Sequence, residues 1–475
     1  MKRYNLSNVF KIKSESVRHK LLNKYTINKY DKRAFLNNVE KLEEQAESGG
    51  LVEKDCNFYD YDGTLLYSYT AEEALALTEL PPLPTQPGLI CQEWNYSLED
   101  IIENNGVCDV GATYITDDGK TRFYISITNK NYLTVSIIVG ATSISGQVIG
   151  EVEIDWGDGT TTTTKSTAIE LSHTYVTLGN YIISIYNANG NYKLGGPYVG
   201  NTAIVGTKLA GYVNMQYKNM LYRVEFGHNV NLSGNSYFTN CANLKYITIS
   251  NTTILTANYT FHDTGLKYVV VPKSATSINN MFNQTMLEGI SIPNKCVVGS
   301  NTFDNTMIKK IVLPKHTSGK VTTFTLYNLK KLIINGTDIS SLTVQYKCLE
   351  ELRFDVNSNI KTLTIYDNLC IKELRVPNEC TSISIRNCYL LDIVYMSKTI
   401  MELDDYFCHN SSARFIFFTD HESVPTLSSK NSFEGSSIFK VVVPDTLYDE
   451  WIAATNWSNY TSRIIKQSEY EANQQ

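Results

Sequence analysis

The chain has 475 residues, of which 19% are charged, and its formal net charge is −6. This length predicts roughly two to four domains rather than one core. The acidic balance argues against a nucleic-acid interface, which needs a basic surface, and no stretch approaches the roughly 18–20 apolar residues of a membrane span.

Residues 1–50 are a polar arm in which Lys and Arg outnumber Asp and Glu by 11 to 6. The arm has no continuous apolar segment, so we expect no signal peptide. One helix is predicted over 32–46, with apolar side chains at the 4-3-4 spacing of a coiled-coil seam. A helix this short is marginal alone, so it either packs on its own domain or joins the seam of a homotrimer. The seam residues are Phe35, Val39, Leu42 and Ala46.

Residues 51–119 predict a small α+β region. Capping residues with acidic first turns indicate its helices, Asp-Gly turns indicate its hairpins, and four prolines indicate an extended link. In chain order the elements are a hairpin around Asp62-Gly63, a helix over 71–77 capped by Thr70, a link over 81–87, a helix over 94–102 and a hairpin over 115–127 that turns at 117–119.

One motif in this region looks catalytic. The run from Asp60 to Thr64 matches the D-x-D-G-T sequence of haloacid dehalogenase-like phosphatases, in which one aspartate attacks phosphorus. That motif follows a buried strand of a doubly wound sheet, whereas residues 53–57 are polar, so we interpret the run as a hairpin turn. Because the chain also has no nucleophile elbow or phosphate-binding glycine loop, we expect no enzyme activity, no cofactor and no metal site.

Residues 120–190 are rich in predicted strands and carry two specific motifs. These are a W-G-D-G turn over 155–160 and an H-x-Y, G-x-Y pair that starts at His173 and Gly179. They resemble the PKD-type, immunoglobulin-like domain, which implies a β-sandwich. Glycines permit the tight reversal and carboxylates cap backbone N–H groups, so we interpret the acidic turn as structural rather than as a calcium loop.

Residues 191–465 are assigned to a repeat. Each copy has an aliphatic residue, two mostly polar residues, a second aliphatic, any residue and a third apolar one, and copies begin 19 to 25 residues apart. A period of this length predicts a stacked solenoid in which each turn supplies one rung. The eleven copies begin at Leu221, Leu244, Leu266, Leu287, Ile308, Leu329, Leu349, Ile371, Leu390, Ala413 and Ile438.

Six repeats also carry a phenylalanine and a polar turn, five or six residues before the next rung. With the rung pattern they resemble the BspA-type bacterial leucine-rich repeat, although residues 321–400 lack the phenylalanine. The resemblance implies a terminal helix in which Leu447 and Trp451 cover the open core, followed by a polar tail over 466–475. The phenylalanines are Phe238, Phe261, Phe282, Phe303, Phe407 and Phe433.

The fold class predicted for the whole chain is mainly β. It comprises the small N-terminal α+β region, the PKD-like sandwich and a leucine-rich-repeat solenoid capped by a C-terminal helix. The ten cysteines form no C-x-x-C pair, and we interpret them as buried free thiols formed in a reducing cytoplasm. A metal site at Cys380 and Cys388 is the alternative, but no histidine lies at ligand spacing.

Residues between the core aliphatics of each rung are expected to point outward and to build columns about 4.8 Å apart. Tyr246 and Tyr268 share one column, either as a stacking platform for sugars or as a simple aromatic pair. The charged positions favour a solvated, charge-balanced sheet face, with a ligand surface as the alternative. The candidate ligand-binding residues are Tyr246, Tyr268, Lys310, Lys331, Arg353, Glu373 and Arg375.

The order of these regions is similar to that of predicted structural proteins of tailed phages that infect gut bacteria. The resemblance implies a virion protein of fibre or appendage type, made in the host cytoplasm without a signal peptide. Residues 1–119 would dock on other virion proteins, the sandwich would act as a spacer, and the solenoid would adhere to a host surface glycan or protein. Two alternatives stay open: a capsid or tail decoration protein that contacts only virion subunits, and a bacterial surface adhesin.

Overall fold

The structure is a computed structural model of the chain. None of the helices within the part of the chain that it describes is long and apolar enough to cross a membrane. The predicted coiled-coil segment over 32–46 lies outside the described residues. The described residues are 51–131, 133–167, 169–188, 191–194, 204–206, 208–209, 212–213, 220–228, 230–232, 238–255, 260–299, 301–315, 323–324, 328–336, 339–345, 348–355, 358–405, 407–436 and 439–473.

Residues 51–116, here called the N-terminal unit, form a four-stranded sheet with two short helices. The strand order is β2-β1-β4-β3, and β1 runs parallel to β4. Both helices begin with complete capping boxes, at Thr70 and Ser97, which satisfy backbone N–H groups that the first turn leaves unpaired. The elements are β1 Cys56–Tyr59, β2 Leu65–Tyr69, α1 Ala71–Leu75, β3 Leu89–Trp94, α2 Leu98–Glu103 and β4 Cys108–Thr116.

The D-x-D-G-T run is a hairpin turn between β1 and β2, as predicted. The Asp60 N–H donates to the Thr64 carbonyl at 2.9 Å, and Gly63 has a φ of +89° that favours glycine. The Asp60 carboxylate is buried and accepts hydrogen bonds from the Tyr114 hydroxyl at 2.7 Å and the Gln86 amide at 2.6 Å. The Asp60 carboxylate therefore has a structural role in this turn.

The second predicted hairpin, over 115–127, is wrong. The chain does turn after β4, but β4 and the next strand, β5 (Thr121–Ile127), lie in different sheets. Both edges of β4 are already filled by β1 and β3, so β5 pairs with strands that come later in the sequence. The predicted helix over 94–102 is shorter, because Trp94 ends β3.

The next strands form a two-sheet sandwich. One sheet has the order β10-β9-β12-β5, and the other has the order β11-β6-β13, with β14 also paired to β6. Its strands, with two small hairpins, are β6 Thr134–Ala141, β7 Ser143–Ile144, β8 Gln147–Val148, β9 Val152–Asp155, β10 Thr161–Thr164, β11 Ile169–Thr174, β12 Gly179–Tyr186, β13 Tyr192–Leu194, β14 Ile204–Gly206, β15 Lys208–Leu209 and β16 Tyr212–Val213.

The W-G-D-G turn has the structural role expected from the sequence. The buried Trp156 indole donates to the Thr162 hydroxyl at 2.9 Å, and the Asp158 carboxylate pairs with His173 at 2.7 Å. Gly157 has a φ of +79°, and a side chain there would collide with the backbone of Ile182. The turn therefore joins β9 to β10 and fixes the end of the sandwich.

The rest of the chain is a β-solenoid of about ten turns, which confirms the predicted mainly β class. Each turn adds one strand to a long parallel face. These strands are β17 Leu221–Glu225, β19 Tyr246–Thr248, β21 Tyr268–Val270, β23 Gly289–Ser291, β25 Lys310–Leu313, β27 Lys331–Ile334, β29 Glu351–Phe354, β31 Glu373–Arg375, β33 Ile393–Tyr395, β36 Phe415–Phe417 and β38 Lys440–Val443.

Shorter strands complete the other sides of the turns. They are β18 Val230–Leu232, β20 Ile254–Leu255, β22 Ser277–Ile278, β24 Val297–Val298, β26 Thr323–Phe324, β28 Ser341–Val344, β30 Thr362–Tyr366, β32 Ser382–Arg386, β34 Glu402–Leu403, β35 Cys408–His409 and β37 Thr426–Leu427.

The sandwich and the solenoid share one hydrophobic core, which runs without a break from Phe123 to Ile464. The reason is that β5 pairs with β17, the first strand of the long face, so the sheet of the sandwich continues into the solenoid. The sandwich therefore also covers the first turn, which would otherwise expose the end of the core.

The rung positions inside the core agree with the predicted pattern, with one correction. Leu390 is 55% exposed, whereas Leu391 is buried, so that turn begins one residue later than predicted. The Ile438 position lies outside the described residues. Four of the predicted phenylalanines stack in a column with ring centroids 5.6, 5.7 and 6.5 Å apart: Phe238, Phe261, Phe282 and Phe303.

The C-terminal end of the core is closed by more structure than predicted. Trp451 and Trp457 are fully buried over the last turn, and a further strand pairs with β38. Within the polar tail predicted over 466–475, residues 467–472 form a short helix with no buried side chain. The elements are a 3-10 helix Asp445–Leu447, α3 Tyr448–Ala453, a 3-10 helix Trp457–Arg463, β39 Ile464–Lys466 and α4 Gln467–Ala472.

Candidate functional site

The N-terminal unit packs sideways against the first half of the long face. Asn95 donates from its side-chain amide to the Val271 carbonyl and to the Ser291 hydroxyl, both at 2.9 Å. The Tyr96 hydroxyl donates to the Ile292 carbonyl at 2.6 Å. Because these groups are buried, each bond removes the cost of an unpaired polar group in the interface.

A second set of buried amides extends this contact. The Asn104 amide donates to the Asn294 side-chain oxygen at 2.9 Å, and the Asn104 oxygen accepts from the Lys315 N–H at 2.8 Å. Asn335 donates to the Val107 carbonyl at 2.6 Å. The contact is therefore directional, and it fixes one position of the unit on the face.

One ion pair in the same contact is mostly buried, with side-chain exposures of 17% and 11%. The Lys310 ammonium lies 2.7 Å from the Asp109 carboxylate and 3.8 Å from Glu53. Burial opposes the charge of Lys310, but these two carboxylates outweigh it and raise the pKa of Lys310. Lys310 therefore holds the N-terminal unit and does not face solvent.

Glycines allow the two surfaces to meet closely. A Cβ atom at Gly111 would lie 2.5 Å from the Val270 side chain, and one at Gly289 would lie 2.8 Å from the Tyr268 ring. The Tyr268 ring also lies 5.2 Å from the ring of Tyr59. A larger residue at Gly111 would push the unit off the face, whereas one at Gly289 would displace the Tyr268 ring that packs on Tyr59.

These contacts decide which predicted ligand residues are accessible. Tyr268 and Lys310 were expected to face outward to solvent, and this is wrong, because the N-terminal unit covers both. Arg353 marks the edge of the covered area, since it lies 3.4 Å from Asp55. The tyrosine platform is also lost, because Tyr268 packs on Tyr59 while Tyr246 stays 42% exposed.

The second half of the long face is open, and a groove crosses it between β29 and β31. The two strands belong to different sheets, whereas the strands on the opposite side of these turns pair continuously. The ladder is interrupted here and leaves a cavity of about 510 Å³.

The groove has charges of both signs along its walls. Its lining includes four carboxylates and three cationic side chains. Glu373 pairs with Arg375 at 2.9 Å, and these side chains are 49% and 68% exposed. Such a surface presents hydrogen-bond acceptors beside planar donors. The lining residues used below are Glu351, Arg353, Glu373 and Arg375.

An aromatic row continues from the groove toward the C-terminus. The Arg375 guanidinium lies 3.9 Å from the centre of the Tyr395 ring, and Tyr395 stacks on Phe417 at 4.9 Å. Tyr470 of α4 then covers Phe417, with ring centroids 4.9 Å apart. The open area is therefore bounded by the N-terminal unit on one side and by α4 on the other.

The structure places four of the predicted ligand residues in or beside this open area: Lys331, Arg353, Glu373 and Arg375. Lys331 pairs with Glu351 at 3.0 Å, so opposite charges on neighbouring turns do pair as the sequence indicated. Tyr395 was missed, although its column position is the same as that of Arg375. Position 289 is a glycine, whereas the neighbouring turns carry large outward residues at the same place. This glycine was a signal of close packing that we did not recognise from the rung pattern.

The described residues contain no metal-binding cluster. No group of three or more His, Cys, Asp or Glu side chains there has metal-ligand geometry. All ten cysteines are free, and seven of them are buried, including Cys380 and Cys388. What this surface offers is binding by hydrogen bonds, charge and aromatic stacking.

Comparison with known proteins agrees with the repeat. Residues 214–333 match the family described as BspA type Leucine rich repeat region, in six copies. No curated protein matches the chain. Among solved structures, the chain is similar to a leucine rich cell surface protein from Faecalibacterium prausnitzii A2-165, with 15% identity and a TM-score of 0.28, over 61% of this chain and 94% of that one. Residues 214–333 are therefore similar to BspA-type leucine-rich repeats, and the later turns of the solenoid continue the same rung pattern.

Proposed function

We propose that the chain is a non-enzymatic, surface-exposed repeat protein that adheres through the groove between β29 and β31 to a polar surface ligand, with a glycan as the best fit. The observation that carries this proposal is that the groove opens beside the area covered by the N-terminal unit and presents Glu373 and Arg375 with 49% and 68% of their side chains exposed. The match to BspA-type repeats supports a binding role, because stacked repeats present extended surfaces.

The chemistry of the groove favours sugars over apolar ligands. Carboxylates such as Glu373 accept hydrogen bonds from hydroxyl groups, and the Arg375 guanidinium donates to ring and carboxylate oxygens. Tyr395 next to Arg375 offers an aromatic face of the kind that stacks on sugar rings. A long apolar peptide would leave these charges without solvent or partners.

The setting on a phage virion is a finer proposal, which rests on the order of the domains alone. In that setting the open half of the long face would contact the host, and the alternative is a decoration protein whose repeats touch only virion subunits. A bacterial surface adhesin would use the groove in the same way. The proposed binding is the same for a fibre and for an adhesin.

The test is binding of the purified full chain to a glycan array and to whole gut bacteria. We expect Arg375→Gln and Tyr395→Ala to lower the binding signal at least about tenfold, which corresponds to about 1.4 kcal/mol. Lys361→Gln is the matched control, because it removes an exposed ion pair with Glu379 at 2.7 Å that lies outside the groove. Binding that survives both groove variants would overturn the site, and binding only to virion subunits would favour decoration.

A further inference from the structure

Two cysteines meet in the core of the N-terminal unit. Cys56 begins β1 and Cys108 begins β4, and the two residues are register partners in the parallel pairing of these strands. Their sulfur atoms lie 3.5 Å apart, at hydrogen-bonding distance. Both side chains are fully buried, in the same hydrophobic cluster as Phe58 and Val110. The backbone pairing itself therefore holds the two thiols together.

The spacing of the two strands suits a disulfide. Neighbouring strands of a sheet lie about 4.7–4.9 Å apart, and cysteines joined by a disulfide usually have Cα atoms about 4.4–6.8 Å apart. Register partners on β1 and β4 therefore meet the backbone requirement without a shift in register. The sulfur–sulfur distance of 3.5 Å has to shorten to about 2.05 Å, and rotation about the two Cα–Cβ bonds supplies this approach.

We propose that Cys56 and Cys108 form a disulfide inside the N-terminal unit when the protein meets an oxidising small-molecule disulfide such as glutathione disulfide. One thiolate attacks the small disulfide, which forms a mixed disulfide and releases one glutathione thiolate. The second cysteine, as its thiolate, attacks the protein sulfur of that mixed disulfide, which forms the Sγ–Sγ bond and releases the second glutathione. The two protein thiols lose two protons and two electrons, and the electrons reduce the small disulfide to two thiols.

Access controls this reaction, because both thiols are fully buried in the folded unit. The hydrogen bond with Cys56, together with burial, raises the pKa of Cys108, so little of the reactive thiolate is present in the folded state. The oxidant therefore reacts while the N-terminal unit is transiently open. Closure of the unit then returns the second sulfur to the first, and the bond that forms is shielded from reductants by the same burial.

The bond would close a loop over most of the N-terminal unit. Residues 56–108 include β2, α1, β3 and α2. Asn95, Tyr96 and Asn104, which hold the unit on the long face, lie within this loop. A cross-link across so long a loop restricts the open chain more than the folded one, so it would favour the state in which the first half of the face is covered. The inference does not depend on which ligand the groove binds.

The test is oxidation of the full chain with glutathione disulfide, without urea and in urea below the unfolding midpoint, followed by alkylation and digestion with trypsin and a glutamate-specific protease. The three cysteines of the unit then lie on separate peptides, 55–72, 80–93 and 104–120. The expected product is the first peptide joined to the third with the loss of two hydrogen atoms, formed several-fold faster in urea. Cys56→Ser and Cys108→Ser should each abolish it, while Cys91→Ser should leave it unchanged.

Hydrogen exchange supplies an independent readout of the same protein. Oxidation should slow exchange of amides in β1 and β4, and dithiothreitol in the same urea should restore the faster exchange. No cross-link even in urea, stable glutathione adducts on Cys56 or Cys108 without a cross-link, or a cross-link that includes Cys91 instead would each overturn the proposal. These outcomes are read on the wild-type chain, so they hold even if a variant folds poorly.

Discussion

The two halves of the long face have the same interior but different exteriors. In the first half, the outward residues are matched to the N-terminal unit: Gly289 is small and Lys310 faces a carboxylate. In the second half, Glu373, Arg375 and Tyr395 meet no such partner across the groove. The rung pattern therefore specifies the solenoid, while the residues between the core aliphatics specify what the solenoid contacts.

The largest expected effect is a difference in stability between variants of two lysines. Lys310 and Lys331 occupy the same column, because they are register partners in the pairing of β25 with β27. Lys310→Met should lower the free energy of unfolding by about 3–5 kcal/mol, because it leaves Asp109 buried without its cation. Lys331→Met removes an ion pair that is partly exposed and should cost about 0–1 kcal/mol. Urea denaturation of both variants measures the difference, and equal losses would contradict the assignment of a covered and an open half.

The next effect tests the close approach of the N-terminal unit. Gly111→Val should cost about 1–3 kcal/mol, because the new side chain would overlap Val270. Hydrogen exchange should increase in β21 and β23 as the unit separates from the face. Gly179→Ala is the control, since its nearest neighbour outside the adjacent residues would lie 3.6 Å away; comparable exchange in both variants would argue against tight packing at Gly111.

A smaller effect concerns the other border of the open area. Tyr470→Ala removes ring contacts at 5.0 Å with Phe415 and at 4.9 Å with Phe417, and aromatic pairs contribute about 0.5–1.5 kcal/mol each. We expect a modest fall in the urea midpoint and increased exchange in β36. Tyr389→Ala is the control, because this tyrosine is 53% exposed and its removal should hardly change the urea midpoint. A similar fall in the urea midpoint for both variants would contradict the packing role assigned to α4.

The smallest effect is a pH dependence in the second half. Burial lowers the pKa of His421, although hydrogen bonds with the Ile400 and Phe418 carbonyls oppose the shift. Above about pH 6.5 both folded and unfolded states carry neutral histidine. As pH falls below that value, the unfolded state takes up a proton first, so stability should decrease until the folded histidine is protonated too. His421→Gln should flatten this part of the stability curve; an unchanged slope would assign it to other groups.

Much of the fold could be predicted from local patterns. The core aliphatics at Leu244, Ile247 and Ile249 are buried as the repeat indicated, because a period near 21 residues leaves one side of each turn apolar. The capped helix at Thr70 and the turn at Asp62 followed from residue chemistry within a few positions. The error at Leu390 arose because two adjacent leucines fit the pattern equally well, and only burial distinguishes them.

The candidate site could be predicted only in part. Glu373 and Arg375 were found from their outward positions on a rung. Tyr268 and Lys310 were found by the same rule and are covered, because the surface that covers them comes from residues about 200 positions earlier in the chain. The interruption of the ladder between β29 and β31 is likewise visible only once the two turns are aligned in space.

The sequence by itself determined the solenoid, its core rungs, the stacked phenylalanines and the tryptophans at its end, because all of these depend on spacing within one or two turns. Only the tertiary structure decided that the sandwich continues the long sheet, that residues 51–116 cover its first half and that a groove stays open in its second half. The physical reason is the separation in sequence of the residues involved. Burial of a rung is a local, periodic requirement. The contact between residues 51–116 and the long face instead depends on complementary hydrogen bonds, charges and glycines that are far apart in the chain and meet only after folding.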